Sequence, residues 1–313
     1  MSRTVDPGGG LGEDGPMARP ARTKTGIYRG GSDDAPISPK ARVVAVHDAS
    51  RPIGRAIALH LADRGQAVLA VGSDAALLAD LPRETAMGGL IEITTALPGE
   101  RRDRVFSLFG RLDACVAVAE AEAFAIWGPF EQRDPSAALV GGLFGPTVFT
   151  QEMVGGLIGH GERAGRVILV NTLPGLPFGA ATAAARAGLD GLCAALRLEL
   201  AVLGLDVIEV AAELVVAPPP APSPTETLEQ ALLALPDGAP RRVLAPPLNA
   251  LLKRAASHRQ ITELVESALL DPKPKDRYVA RVGGRLTGVR AARALIKTAQ
   301  TAKVAKAAKA AKK

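Results

Sequence analysis

RVVAVHDASRPIGRAIALHLADRGQAVLAVGS, residues 42–73, is the stretch that decides the fold of this chain. An apolar run from Val43 to Val46 is followed by a polar turn, a segment with helical apolar spacing, and a second apolar run from Ala67 to Val71. Two buried strands joined by one helix within about 30 residues form a βαβ unit. Its crevice opens at the carboxyl end of the first strand, where the amino end of the helix attracts phosphate. The stretch predicts either a nucleotide site at this crevice or a structural unit with a blunted pocket.

The rest of the chain continues this alternation of strands and helices. Further strands are predicted at residues 90–94, 114–119, 166–170, 206–210 and 277–282, and helices at 75–81, 100–109, 136–158, 180–203 and 248–270. Strands separated by helices indicate a parallel sheet covered on both faces. We therefore predict an α/β fold, a Rossmann-like doubly wound parallel sheet forming a single domain over residues 41–288.

The two ends and one internal segment differ in composition from this domain. Residues 1–40 are rich in Gly, Pro, Ser and Asp and are expected to be disordered. Residues 216–226 form a Pro-rich loop, and residues 289–313 form a basic Ala/Lys-rich tail that we also expect to be disordered.

The charge of the chain is concentrated in its tail. The chain has 38 basic and 32 acidic residues, and the segment from Lys297 to Lys313 carries six lysines and no acid, so the remainder has no net charge. Such a tail is either a solvated segment or a weak contact for nucleic acid or another polyanion.

Composition narrows the class of protein further. No segment is long and apolar enough to predict a membrane span, and neither a secretory signal nor a transit peptide is evident, so we expect a cytoplasmic protein. Cys115 and Cys193 fall in apolar segments and are predicted to be core thiols. The four histidines show no ligand spacing, and no metal site is predicted.

The turn after the first strand, in ASRPIGRAIA, resembles the nucleotide-binding unit of the short-chain dehydrogenase/reductase superfamily, most closely its acyl-carrier-protein reductase-like members. The family pattern is T-G-x-x-x-G-[IL]-G. Ile53 and Gly54 match it, whereas His47, Asp48 and Pro52 replace the Thr and the first two glycines. A carboxylate at Asp48 would oppose a bound phosphate by about 1 to 4 kcal/mol at 4 Å. The resemblance implies a dinucleotide site, and these replacements weaken it.

If a cofactor binds, the resemblance implies NADP(H). Arg51 matches the basic residue that NADP-preferring members place beside the ribose phosphate, and Ser50 matches as well. Ser73, at the end of the second strand, offers no charge to a ribose substituent. Glu92 could match the acidic residue that contacts adenine, although a surface Glu on a strand is an equal interpretation.

The catalytic positions implied by the resemblance are also changed. Thr172 stands in place of the catalytic Ser, Thr182 in place of the Tyr and Arg186 in place of the Lys of Y-x-x-x-K. No Y-x-x-x-K exists elsewhere, and no lysine lies between Lys40 and Lys253. A Thr hydroxyl is a far weaker acid than a Tyr assisted by an ammonium group. Thr182 and Arg186 are therefore either degenerate catalytic residues or ordinary helix residues one turn apart.

Three functions remain open at this point. The first is a catalytically impaired member of the family, a pseudoenzyme that serves as a binding or oligomeric scaffold. The second is a divergent NADP-dependent reductase of a carbonyl substrate, and the third is a polyanion-associated protein that acts through its tail. The small-residue helices at 136–158 and 180–203 occupy the subunit interface of the family, which implies a homodimer or homotetramer.

Overall fold

The structure is a computed structural model that describes residues 38, 40–85, 90–120, 136–158, 164–173, 180–212, 215–216 and 256–280. The predicted amino-terminal extension lies almost entirely outside the described residues. The Pro-rich loop, apart from its first residue, and the Lys-rich tail also lie outside them. Within these ranges helices separate the first six strands along the chain, as predicted.

Nine strands and eight α-helices are described, in the following order. They are β1 (Val43–Val46), α1 (Pro52–Asp63), β2 (Ala67–Val71), α2 (Ala75–Ala79), α3 (Leu81–Glu84), β3 (Ile91–Thr94), α4 (Arg101–Phe109), β4 (Ala114–Ala119), α5 (Ser136–Leu139), α6 (Gly145–Leu157), β5 (Arg166–Asn171), α7 (Ala180–Ala201), β6 (Asp206–Ala211), β7 (Val215–Val216), β8 (Ala256–Ser257), α8 (His258–Leu270) and β9 (Arg277–Val279). A π-helical turn, Val140–Phe144, connects α5 to α6.

Seven strands form one parallel sheet in the order β3-β2-β1-β4-β5-β6-β9. β7 and β8 pair with each other in a second, two-stranded parallel sheet. The order reverses direction at β1, because the chain moves outward to β3 and then returns to β4 on the other side. This confirms the doubly wound, Rossmann-like fold and places a crevice beyond the carboxyl ends of β1 and β4.

The sheet is buried on both faces. Val44 and Val46 of β1 belong to the core beneath α1 and α8. Val43 and Ala45 belong to the opposite core beneath α4, α6 and α7. Burial on both sides explains why the strands are continuous apolar runs instead of alternating polar and apolar residues.

Three helices depart from the predicted outlines. Within the predicted helix at 248–270, residues 256 and 257 form β8, and α8 begins only at His258, where Ser257 caps its amino end. The predicted helix at 75–81 is interrupted at Asp80, where α2 ends and α3, which carries Pro82 in its first turn, begins. The predicted helix at 136–158 contains the π-helical turn just before Pro146. Proline has no N–H for the helical ladder, and the backbone adjusts on its amino-terminal side.

Both cysteines and most of the predicted helices lie within the described residues. Cys115 and Cys193 are free and buried, and burial raises the pKa of each thiol to about 12. Among the described helices, none combines the length and the apolar character that crossing a bilayer requires. The described residues also hold no group of three or more His, Cys, Asp or Glu side chains that could bind a metal ion.

Candidate functional site

The crevice is built from the turns that follow four adjacent parallel strands. His47 and Asp48 follow β1, Glu120 follows β4, Thr172 follows β5 and Ala212 follows β6. Main-chain hydrogen bonds tie these turns to the ends of neighbouring strands: His47 N to Val116 O at 2.9 Å, Thr172 N to Ala119 O at 3.2 Å and Ala212 N to Asn171 O at 3.0 Å. The sheet therefore brings together, at one edge, residues that are far apart in the sequence.

Asp48 adopts the left-handed backbone conformation, with a φ of 58°, at the position of the first family glycine. Asp is one of the few side chains that visit this region readily. The replacement thus keeps the tight turn that glycine would allow, and it adds a carboxylate. That carboxylate lies 3.6 Å from the Nε of Arg51.

Gly54 is retained for reasons of space. A Cβ at this position would lie 2.3 Å from the carbonyl oxygen of Asp48 and 2.9 Å from that of His47. Real Cβ atoms do not approach backbone so closely, so the first turn of α1 can pack on the preceding turn only with glycine here. Gly54 is therefore explained by packing alone, without a bound nucleotide.

The start of α1 combines a favourable proline with an unusual hydrogen-bond acceptor. Pro52 is the first helical residue, a position where its fixed φ fits and its missing N–H is not needed. The next amide, of Ile53, donates to Oε2 of Glu120 at 3.2 Å. A carboxylate from the end of β4 thus lies at the amino end of α1, which is the region that attracts phosphate in βαβ units.

The electrostatic surroundings of Glu120 are mixed. Burial raises the pKa of its carboxyl from 4.5 to about 7, and the negative charge of Asp48 acts in the same direction. Arg51 and the Ile53 amide oppose this shift. Nearby, burial lowers the pKa of His47 to about 4, and its ring packs against Phe149 with centroids 5.0 Å apart. The His47 ring is therefore neutral near pH 7.

The other predicted cofactor residues are placed as follows. The hydroxyl of Ser50 accepts a hydrogen bond from the Ser73 amide at 3.3 Å, which links the turn after β1 to the end of β2. Arg51, the residue just before α1, lies beside Asp48 and Glu120. Glu92 lies within the edge strand β3, at the register of Leu69 and two residues before the end of the strand. Ser50, Arg51, Ile53 and Gly54 are thus neighbours, Ser73 adjoins them, and Glu92 belongs to the more distant edge strand.

The three predicted catalytic positions lie near the ends of β4, β5 and β6. The Thr172 hydroxyl donates to Ala119 O at 2.8 Å. Thr182, in the first turn of α7, is fully buried. One turn later, a single guanidinium nitrogen of Arg186 donates to Leu173 O at 2.5 Å and to Ala212 O at 2.7 Å. The structure therefore engages Thr172 and Arg186 with the main chain and buries Thr182.

Glu120 is the member of this site that sequence reasoning did not select. In the resemblance to the family, Glu120 stands in place of the last glycine of the segment N-N-A-G, which follows the fourth strand. Its position in the sequence could have pointed to the site. Glu120 is the first charged residue after the buried strand ACVAVA, and it follows that strand at the edge of the crevice.

The sequence of this chain is similar to those of known dehydrogenases. The family model described as short chain dehydrogenase matches residues 42–222. The (2S)-[(R)-hydroxy(phenyl)methyl]succinyl-CoA dehydrogenase subunit BbsC of Thauera aromatica is 34% identical over 175 residues, which cover 53% of this chain and 69% of that protein.

Solved structures show the same fold at lower identity. A short-chain dehydrogenase from Streptomyces avermitilis is 21% identical with a TM-score of 0.60, and the match covers 88% of this chain and 98% of that one. An alcohol dehydrogenase from the archaeon Thermococcus sibiricus, complexed with 5-hydroxy-NADP, is 18% identical with a TM-score of 0.58, and the match covers 79% and 100%.

Proposed function

Since this chain belongs to the short-chain dehydrogenase family, we propose that it is a catalytically impaired member that acts as a binding or oligomeric scaffold. The observation that carries this proposal is the state of the three catalytic positions. Thr172 and Arg186 are hydrogen-bonded to main-chain carbonyls, and Thr182 is buried. These side chains stabilise the fold at the place where the family carries out chemistry.

The residue types at these positions support the same proposal. Carbonyl reduction needs a group that gives a proton to the developing alkoxide, and such a group contributes about 10²- to 10⁴-fold to the rate. The guanidinium of Arg186 keeps its proton at every physiological pH, so it cannot act as an acid or base. The hydroxyl of Thr182 is a poor acid, and no lysine occurs between Lys40 and Lys253 to assist it.

The nucleotide crevice provides a second line of support. Two carboxylates, those of Asp48 and Glu120, lie at the amino end of α1. Each would oppose a phosphate by about 1 to 4 kcal/mol at a separation of 4 Å. Arg51 offers one compensating charge, and it lies beside Asp48. We infer that a dinucleotide binds only weakly here and that the NADP(H) expected from the family is not a resident cofactor.

The scaffold role is supported by an apolar surface on one side of the sheet. Val140, Phe144 and Val148, spaced four residues apart, are 56%, 57% and 43% exposed. The neighbouring helix α7 exposes Ala184, Ala187, Gly191 and Leu198. We call these seven residues the α6–α7 face. It contains no charged residue.

The α6–α7 face lies on residues 140–148 and 184–198, and depletion of charged residues is typical of the centre of a subunit interface. The Thauera relative is named as a subunit of a dehydrogenase. We propose that the α6–α7 face joins two copies of this chain in a homodimer.

A direct assay tests the proposed loss of catalysis. Purified full-length protein is incubated with NADPH or NADH and a panel of carbonyl compounds, including acyl thioesters, and nicotinamide oxidation is followed by absorbance. We expect no turnover above the uncatalysed rate. Turnover that Thr182→Val abolishes would instead support the divergent NADP-dependent reductase with a small carbonyl ligand.

A second function is favoured by the distribution of charge. Residues 281–313 contain ten basic residues and no acidic one, which leaves 28 basic against 32 acidic residues in the rest of the chain. The excess positive charge is thus confined to the carboxyl-terminal segment, and we propose that it makes weak, sequence-independent contacts with nucleic acid or another polyanion. A filter-binding titration with duplex DNA tests this: affinity should fall steeply with salt and be lost when residues 297–313 are removed.

A further inference from the structure

We infer that Glu120 is an autoinhibitory side chain, whose negative charge at the amino end of α1 excludes the diphosphate of a dinucleotide from the crevice. This inference rests on the proposed function, because it gives a cause for the weak nucleotide binding proposed above. It goes further, because it assigns the exclusion of the diphosphate to one residue and predicts that protonation of that residue reverses the exclusion.

The hydrogen bond from Ile53 supports the assignment. Pro52 has no N–H, so the Ile53 amide is the first N–H that α1 can offer at its amino end. Two residues later, the Arg55 amide already donates to Arg51 O within the helix, at 2.8 Å. The Ile53 amide is thus a donor for an anion at this helix end, and Glu120 accepts its hydrogen bond.

The π-helical turn lies close to the Glu120 main chain and to Arg51. A Cβ on Gly141, in the π-helical turn, would lie 3.5 Å from the carbonyl oxygen of Glu120 and 3.7 Å from a terminal nitrogen of Arg51. The π-helical turn therefore packs over both residues. Its sequence, VGGLF, contributes no titratable group.

Among the residues that the structure describes, the charged groups that act on the Glu120 carboxyl are Arg51 and Asp48, both from the turn before α1. Arg51 favours the ionised carboxylate and Asp48 disfavours it. Since burial is the largest influence and raises the pKa to about 7, the carboxyl changes charge near neutral pH. Protonation removes the repulsion of a phosphate, so nucleotide affinity should rise as pH falls.

The test is a calorimetric titration of the full chain with NADP⁺ at pH 6 and pH 8.5. Glu120→Gln removes the charge at nearly constant volume, and Glu120→Gly restores the family residue. Glu152→Gln is a matched control, because Glu152 accepts hydrogen bonds from the Gly99 and Arg101 amides at the start of α4, at 2.9 and 2.8 Å. A phosphate of NADP⁺ also titrates with pH, but its effect is the same for wild type and for the three variants.

We expect wild type and Glu152→Gln to bind about 30-fold more weakly at pH 8.5 than at pH 6, as proton linkage to a group titrating near pH 7 requires. Glu120→Gln should bind at pH 8.5 nearly as well as wild type does at pH 6, as should Glu120→Gly. Equal affinity of wild type and Glu120→Gln at pH 8.5 would overturn the inference. Binding by Glu120→Gly alone would overturn it as well, since the obstacle would then be volume and not charge.

The remaining outcomes separate this inference from the proposed function. If none of the four proteins binds NADP⁺ saturably, the inference fails and the proposed loss of cofactor binding stands. If wild type binds at micromolar concentration at both pH values, both fail. If Glu120→Gln binds NADP⁺ and still reduces no carbonyl compound, both are supported.

Discussion

Gly54 packs directly against the backbone of Asp48, so that a Cβ on Gly54 would lie 2.3 Å from the Asp48 carbonyl oxygen. Asp48 itself holds a left-handed conformation, with a φ of 58°. The first turn of α1 and the turn after β1 are therefore one packed unit. This unit persists although two of the three family glycines are replaced.

Because of this contact, we expect Gly54→Ala to destabilise the fold strongly. The added methyl meets backbone atoms that cannot move aside as a flexible side chain would, so we expect a loss of at least about 2 kcal/mol in the free energy of unfolding. Urea denaturation followed by circular dichroism measures it. Gly191→Ala is the control, because a Cβ on Gly191, within α7, meets nothing within 4 Å. The control should gain up to about 1 kcal/mol; a similar loss in both variants would contradict the packing argument.

The raised pKa of Glu120 predicts a pH dependence of stability. A carboxyl whose pKa rises from 4.5 to about 7 on folding favours the folded state most below pH 4.5, and this contribution is lost as pH rises through 7. The full loss is of the order of 3 kcal/mol, at about 1.4 kcal/mol per pKa unit.

Glu120→Gln isolates this contribution. Relative to wild type, the variant should become progressively more stable between pH 5 and pH 8.5, as measured by urea denaturation at each pH. Glu152→Gln removes another largely buried carboxylate from a helix start and should not reproduce that trend. A constant difference between wild type and Glu120→Gln across this range would show that Glu120 does not titrate there.

Arg186 occupies the position where the family has a catalytic lysine, and we expect that restoring the lysine destabilises the fold. Its guanidinium donates to Leu173 O and Ala212 O and so links the segments that follow β5 and β6. A lysine ammonium is a compact group on a different stem and cannot reproduce that geometry, so Arg186→Lys should cost about 1 to 3 kcal/mol. Thermal unfolding measures the cost.

The control is Arg259→Lys, because Arg259 is 80% exposed and pairs with Glu263 one turn along α8. Exposed pairs of this kind contribute less than about 1 kcal/mol. An Arg186→Lys protein as stable as wild type would remove the structural role that we assign to Arg186.

The α6–α7 face predicts a change of oligomeric state. Phe144→Glu places a charge at its centre, and burying that charge between two copies would be unfavourable. We expect a dimer for wild type and a monomer for the variant in sedimentation velocity at micromolar concentration. Leu97→Glu is the control, since Leu97 is 69% exposed and lies outside that face. A wild-type monomer would contradict the proposed homodimer.

The order of elements could be predicted because each buried strand is a short apolar run and each helix has helical spacing. The prediction for β4, residues 114–119, coincides with Ala114–Ala119 because charged residues bound this apolar run. The π-helical turn before Pro146 was missed, because the spacing of small residues there is compatible with an uninterrupted helix.

The candidate site was predicted only in part. Family positions located Thr172, Thr182 and Arg186, but the role of Glu120 depends on the adjacency of β1 and β4, which brings it to Ile53 across 67 positions in the sequence. Likewise, Asp48 was expected only to oppose a bound phosphate through its charge. Its ability to replace glycine in the left-handed conformation becomes evident only from the backbone.

The most direct test of the central claim, that this family member has lost the use of its nucleotide crevice, is a calorimetric titration of the full chain with NADPH. It should be performed at pH 8, where Glu120 is ionised, and in 0.3 M salt, where the Debye length is about 6 Å and phosphate contacts with the lysine-rich tail are weakened. The account predicts no saturable binding up to millimolar NADPH. Saturable binding at micromolar concentration, lost in Arg51→Ala, would contradict it and identify the crevice as a working cofactor site.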